Sequence, residues 1–237
     1  MRRFIFDVDG TLTDSRQRID PVFEKFMFDF CRENTVSLVT GSDKEKTIEQ
    51  IGERIFNENE YSFNCAGNEI YHYGKLIDRQ EWIASDSILA YLENLLEKSK
   101  FPRKTGKHIE QRTGMVNFSI VGRNCTLEDR KEYLLWDRNT AERYHLREKI
   151  TATFPEVDAL LGGETGLDIY PKGKNKEQVI SFLKERETEK LYYFGDQIFQ
   201  YGNDYNIAMK CDHRYHVRKW QDTHEILLFL KEAGYCE

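Results

Sequence analysis

"RRFIFDVDGTLTDSR" spans Arg2–Arg16, and its reading decides the fold. Phe4 to Val8 is a short apolar run rich in aromatic and β-branched residues, the mark of a buried strand. The run carries Asp7-Val8-Asp9 at its end and turns at once through Gly10 and Thr11. Two carboxylates one residue apart repel each other, so the pair needs a use. Residues two apart in a strand point to the same side. Asp7 and Asp9 therefore face one site at the strand's C-terminal end, where open α/β sheets bind ligands.

The flanking sequence supplies the sheet. Asp20-Pro21 reads as an N-cap followed by proline at the first helical position, with an amphipathic helix over Val22–Arg32. Thr35 to Thr40 is a second buried strand. Gly41-Ser42-Asp43 leads into a helix over Lys44–Phe56, and Tyr61 to Cys65 forms a third strand. This β-α-β-α-β rhythm predicts a parallel sheet with helices on its faces.

The pattern then changes. Ser85 or Asp86 caps a helix from Ser87 to Lys98. Gly114 to Arg123 alternates, with Val116, Phe118 and Ile120 on one face, and predicts a half-exposed antiparallel strand. Thr126 and Asp129 form a variant capping box before one long helix reaching about Ile150. Leu160 to Tyr170 is glycine-rich and holds another strand. Residues 78–173 thus read as an α+β unit inserted into a sheet domain made of 1–77 and 174–237. The first rhythm returns with a helix over Lys176–Arg186 and a buried strand over Leu191–Phe194, ending in Gly195-Asp196. A loop with Gly202-Asn203-Asp204 follows, then a short strand near Tyr215–Val217 and a helix from about Thr223 to Ala233.

Composition narrows the class. The chain has 237 residues with 15 Phe and 13 Tyr, enough for a real core without disulfides. A net charge of −6 provides no global basic field, so neither nucleic acid nor a membrane surface is an expected partner. Cys31, Cys65, Cys125, Cys211 and Cys236 are odd in number and widely spaced, which predicts free thiols in a reducing compartment. The N-terminus does not read as a signal peptide, and no apolar window approaches the length of a membrane span. The expected location is cytoplasmic.

Asp196 ends a second buried strand, so three carboxylates are expected at one sheet edge. Such an oxygen set suits Mg²⁺, which would offset their repulsion. Magnesium with carboxylates suits phosphoryl transfer, Asp7 acting as nucleophile and Asp9 as acid and base. Ser42, at a helix N-terminus, could hold a phosphate oxygen, and Lys176, opening a helix, could supply positive charge. Taken singly, Ser42 reads as a helix cap and Lys176 as a solvated helix residue.

Together these residues resemble a known family. DVDGT (7–11), TGS (40–42), Lys176 and GD…GND (195–204) match, in order, the four motifs of the haloacid dehalogenase (HAD) superfamily. The resemblance implies an α/β fold: a Rossmann-like parallel-sheet HAD core with an inserted α+β cap domain of the C2 type, an aspartate nucleophile and Mg²⁺. Asp204 of the fourth motif would support the site. The block RTGMVNFSIVGR (112–123) is more specific and resembles the eukaryotic-type α-phosphomannomutases. That resemblance implies interconversion of mannose 6-phosphate and mannose 1-phosphate through an aspartyl-phosphate, with hexose 1,6-bisphosphate as activator and mannose 1-phosphate feeding GDP-mannose synthesis.

By position, the resemblance makes Asp7 the nucleophile and Asp9 the acid/base, with Asp7, Asp196 and the Asp9 carbonyl on Mg²⁺. Arg16 would contact substrate, Arg112, Arg123 and Arg130 would hold the distal phosphate, and Asp168 would bind a sugar hydroxyl. It also implies a homodimer through the cap. The two crossings between core and inserted unit, near 77–81 and 171–174, are expected to hinge the cap closed. Three stretches depart from the pattern: Gly166 stands where the family has serine, and NCAGNE (64–69) and PKGKNK (171–176) differ. The stretch Ala208–His213 shows no clear acidic partner for a second cation. A sugar-phosphate phosphatase on the same scaffold is the alternative, because Asp7, Asp9 and Mg²⁺ would serve both.

Overall fold

In a computed structural model the protein is described over residues 2–184 and 190–236. The core opens with β1 (Arg2–Phe6), α1 (Pro21–Glu33), β2 (Thr35–Val39), α2 (Lys44–Ile51), α3 (Glu53–Glu58) and β3 (Tyr61–Asn64). A hairpin follows, β4 (Glu69–His72) and β5 (Lys75–Arg79). The cap contains α4 (Asp86–Lys98), β6 (Ile109–Arg112), β7 (Met115–Ser119), α5 (Leu127–Thr140), α6 (Glu142–Thr153), β8 (Val157–Gly162) and β9 (Gly166–Pro171). The chain returns to the core as α7 (Gln178–Lys184), β10 (Lys190–Gly195), α8 (Tyr205–Lys210), β11 (His213–His216) and α9 (Trp220–Glu232).

The core sheet runs β11-β10-β1-β2-β3-β4-β5. Its first five strands are parallel and the last two antiparallel. Strand β1 is central, and its alternation assigns the layers. Phe4 and Phe6 pack with Phe23, Met27 and Leu227 of α1 and α9. Ile5 packs with Val179, Leu183 and Ile207 of α7 and α8. Asp20 caps α1 by accepting the Val22 and Phe23 amides, so the Asp-Pro start is as read from the sequence.

The cap sheet runs β6-β7-β9-β8 and is antiparallel throughout. One face presents Val116, Phe118, Leu167 and Ile169 to α4, α5 and α6. The other face is not open to water as the alternation suggested. Met115, Asn117 and Ser119 are also buried, because this face lies over the core: Met115 and Tyr170 pack with Cys65 and Ala66.

Several boundaries move. The helix expected over Lys44–Phe56 breaks at Gly52, whose φ of +81° ends α2 and starts α3. The long helix to Ile150 breaks at Ala141, which is left-handed at φ +50°. The capping box at Thr126 and Asp129 is present. The helix assigned to Lys176–Arg186 begins at Gln178, and its expected end, Glu185 and Arg186, lies outside the described residues. The last strand sits at His213–His216, slightly earlier than expected.

Candidate active site

Asp7 follows β1 directly, and its amide still pairs with Phe194 O at 2.9 Å. Its carboxylate is buried and meets two others. Carboxylate oxygens of Asp7, Asp196 and Asp204 lie within 4.8 Å of one another. Gly10 makes this approach possible: it turns at φ +80°, and a Cβ there would sit 2.8 Å from Asp196 Oδ2. Lys176 donates to Asp7 Oδ1 at 2.6 Å and to Asp204 Oδ1 at 2.7 Å. At 1 % exposure it is a buried counter-ion, so the reading of it as a solvated helix residue is wrong. It precedes α7 rather than opening it, and the loop turns it inward.

One lysine does not balance three carboxylates. Burial, with Asp204 and Asp196 nearby, holds the Asp7 carboxyl well above its ordinary range despite Lys176. Burial and Asp204 push Asp196 up to about 7. Burial would discharge Lys176, but Asp204 and Asp7 outweigh it and hold its pKa above that of an ordinary lysine. Asp204 also accepts from Tyr193 Oη at 2.5 Å and from the Gln197 amide at 3.0 Å.

Asp9 does not join the acidic trio. Its Oδ1 accepts from the Arg16 amide at 2.7 Å and from Gln50 Nε2 at 2.9 Å. Arg16 is left-handed at φ +60°, a strain of roughly 1–2 kcal/mol that brings its N–H onto Asp9. Ser42 lies just before the α2 N-cap, which is Asp43, and its carbonyl accepts from the Cys65 amide at 2.9 Å.

A cavity of about 330 Å³ joins these groups to the cap. Asp7, Asp9, Ser42 and Asp196 line it from the core, together with Arg16. Arg112, Arg123, Arg130 and Asp168 line it from the cap. Strand register explains the cap's contribution. Glu110 lies opposite Asn117, and Asn117 opposite Asp168, so one row crosses β6, β7 and β9. Arg112, two residues from Glu110, shares its face. Asn117 Nδ2 donates to Asp168 Oδ1 at 2.7 Å. A Cβ on Gly166 would sit 2.9 Å from that nitrogen, so the glycine leaves Asn117 its place.

The arginines form a strongly basic cluster. Burial and the charges of Arg130 and Arg123 push Arg16 down to about 10. Arg123 Nε and Arg130 Nη1 are buried donors with no acceptor among the described residues. Arg112 Nη1 reaches the core by donating to Gly41 O at 2.6 Å. Arg130 Nη2 does so through Ser15 Oγ at 3.3 Å. The loop before Asp204 is stitched to the cap as well. The Leu161 amide donates to Tyr201 O at 2.8 Å, and the Asn203 amide to Leu161 O at 3.0 Å. Asn203 Nδ2 also donates to Asp168 Oδ2 at 3.2 Å.

Sequence reading missed Glu110, Asn117, Glu164, Gln50 and Asn203 as parts of this site. Their roles depend on register and loop packing. Strand β6 (Ile109–Arg112), which carries Glu110 and Arg112, has no apolar alternation, and the sequence did not mark it as a strand.

The sheet order, the inserted cap and the carboxylate cluster at the C-terminal edge define a protein of the haloacid dehalogenase fold. Solved structures agree on that fold. A haloacid dehalogenase-like hydrolase from Bacteroides thetaiotaomicron superposes with a TM-score of 0.58 at 11% identity, over 97% of this chain and 99% of its own. The IMP-nucleotidase of Plasmodium falciparum gives 0.67 at 17% identity, over 98% and 68%. At the level of sequence, the eukaryotic phosphomannomutase family model matches residues 23–231, and the chain belongs to that family. The phosphomannomutase of Saccharomyces cerevisiae is 30% identical over 234 residues, covering 94% of this chain and 91% of the relative.

Proposed function

We propose that the chain interconverts mannose 6-phosphate and mannose 1-phosphate, with a hexose 1,6-bisphosphate as activator. The observation that carries this reading is one cavity lined both by the buried Asp7 with the partly buried Asp9 and by four arginines. A sugar carrying two phosphates needs both: one phosphate for the nucleophile, one for a cationic pocket. Arginine's planar fork suits the second.

Asp7 holds a phosphoryl group as an aspartyl-phosphate. Its phosphorus passes to the free hydroxyl of a bound hexose monophosphate, breaking the Asp7 P–O bond, while Asp9 takes the hydroxyl proton. The resulting bisphosphate turns end for end. Asp7 then attacks the other phosphorus, and Asp9 returns the proton to the leaving sugar oxygen. Gln50 and the Arg16 amide hold Asp9 in place for both transfers. The segment 78–173 acts as the closing cap, excluding water while Asp7 is phosphorylated. Pairing of two copies through that cap belongs to the same proposal.

The donor set fits a hard cation: it is all oxygen, and burial together with the neighbouring carboxylates holds Asp7 and Asp196 up. Asp7 and Asp196 would hold magnesium, which when bound supplies charge neutralisation at the phosphoryl group. Because the Asp196 carboxyl is raised to about 7, it is protonated in the native state well below that pH and competes with metal there. Magnesium should therefore raise the thermal midpoint at pH 8 and much less at pH 5.5. Equal shifts at both pH values would count against this assignment. The described cysteines are unpaired, and no described helix is long and apolar enough to cross a membrane; the free thiols support a cytoplasmic setting.

The activity is tested by phosphorus NMR of the protein with Mg²⁺, mannose 1-phosphate and a trace of glucose 1,6-bisphosphate. Mannose 6-phosphate should grow with little inorganic phosphate. Inorganic phosphate alone would mean that water is the acceptor and the protein a phosphatase.

A further inference from the structure

The cationic pocket is not occupied by arginines alone. Glu110 lines the same cavity, and one of its oxygens, Oε2, accepts three N–H bonds. Two come from Arg112, Nε at 2.9 Å and Nη2 at 2.5 Å. The third comes from Arg123 Nη2 at 2.5 Å. Arg130 has a parallel arrangement, donating to Glu164 Oε2 at 2.8 Å. A single carboxylate oxygen thus bridges two guanidiniums, much as an oxygen of a bound phosphate would.

We propose that Glu110 is a positioning residue of the anion pocket, fixing Arg112 and Arg123 while weakening their hold on phosphate enough for a bisphosphate to turn over. This rests on the mutase reading above. The two tasks follow from separate properties. Position comes from the hydrogen bonds: the Glu110 row on β6 aims both guanidiniums inward, and Arg112 carries the alignment on to Gly41 of the core. Attenuation comes from charge. Arginine–phosphate forks are strong, charge-assisted pairs, and a fixed anion beside them opposes the incoming one. A mutase needs that opposition. It must hold each phosphate in turn, then release it so the other can reach Asp7, and binding the bisphosphate too tightly slows every turnover. The partly exposed side chain of Glu110 keeps its charge here: burial would neutralise it, but Arg112 and Arg123 prevail and hold its pKa below the ordinary glutamate value.

Two variants separate the tasks. Glu110→Gln keeps a carbonyl oxygen able to accept the same bonds but removes the charge. Glu110→Ala removes both. Binding of inorganic phosphate and of glucose 1,6-bisphosphate is measured by calorimetry, alongside kcat and KM for mannose 1-phosphate with Mg²⁺. For E110Q, both affinities should tighten about fivefold or more, KM should fall in step, and kcat should drop by about tenfold. For E110A, KM should instead rise by about tenfold as the guanidiniums lose their anchor. Unchanged affinities in E110Q, or a rise in KM matching that of E110A at an unchanged thermal midpoint, would overturn the inference. The binding measurements need no turnover. If wild-type protein fails to isomerise but E110Q still tightens phosphate, the mutase reading falls and the charge effect stands. If wild-type protein isomerises and E110Q binds phosphate as before, the reverse holds.

Discussion

Asp7→Asn should abolish turnover by about 10⁴-fold or more while making the metal-free protein slightly more stable. The first effect follows because asparagine cannot form the acyl phosphate that carries the group between sugar positions. The second follows from the site's charge. Burial, Asp204 and Asp196 all disfavour an ionised Asp7. Lys176 keeps Asp204 at 2.7 Å as its counter-ion, so the amide leaves no orphaned cation. The sign with pH is fixed by linkage. A carboxyl whose native pKa is raised above its unfolded value destabilises the fold increasingly as pH rises between the two. The gain from Asp7→Asn should therefore be full at pH 8 and shrink to a small remainder near pH 4, where the native carboxyl is protonated and the unfolded one, with a pKa of about 3.9, is about half so. Thermal unfolding in chelator across that range checks it. A variant less stable than wild type at pH 8 would show that the Lys176–Asp7 pair outweighs the repulsion.

Lys176→Met is the opposite experiment. It leaves three carboxylates, two of them buried, facing one another without their cation. Removing one member of a buried charge pair costs about 3–5 kcal/mol. In a chain of this size that lowers the midpoint by about 10 °C. The deficit should be largest at high pH, where the carboxylates must ionise, and smaller at pH 5. Activity should also fall, because Lys176 fixes Asp7 Oδ1. A midpoint within about 2 °C of wild type would show that protonation of the trio replaces the lysine without penalty.

These two residues also mark what sequence could and could not show. Asp7 was legible because its strand is apolar, ends at a sheet edge and turns through glycine; local pattern alone carries that. Lys176 was legible only through its place in a motif. Its spacing fits a solvated helix, and only the fold brings it across 169 positions to Asp7. The same distinction separates β1 from the β4–β5 hairpin. Strand β5, KLIDR, is exposed along its whole length and has no apolar alternation to announce it. Breaks at Gly52 and Ala141 sit inside stretches of good helix formers, so periodicity runs straight through them. In the cap, Asn117 and Glu110 reach the site through strand register, which a single sequence does not fix. Family resemblance named the arginines and Asp168, but not Glu110 and Glu164, which accept from those arginines.

The central position of β1 has a consequence for synthesis. Its two neighbours arrive at very different times. Strand β2 begins at Thr35, whereas the register partner of Arg2 on the other side is Lys190. At ribosomal speeds of about 5–20 residues per second, that gap is roughly 8–30 s. Throughout it the entire cap is made and free to fold, while the edge of Phe4, Ile5 and Phe6 awaits its partner. An unpaired apolar edge is a template for pairing with other chains. The nascent chain is thus most exposed to aggregation while its most important strand is half-paired, and only the arrival of β10 closes that edge.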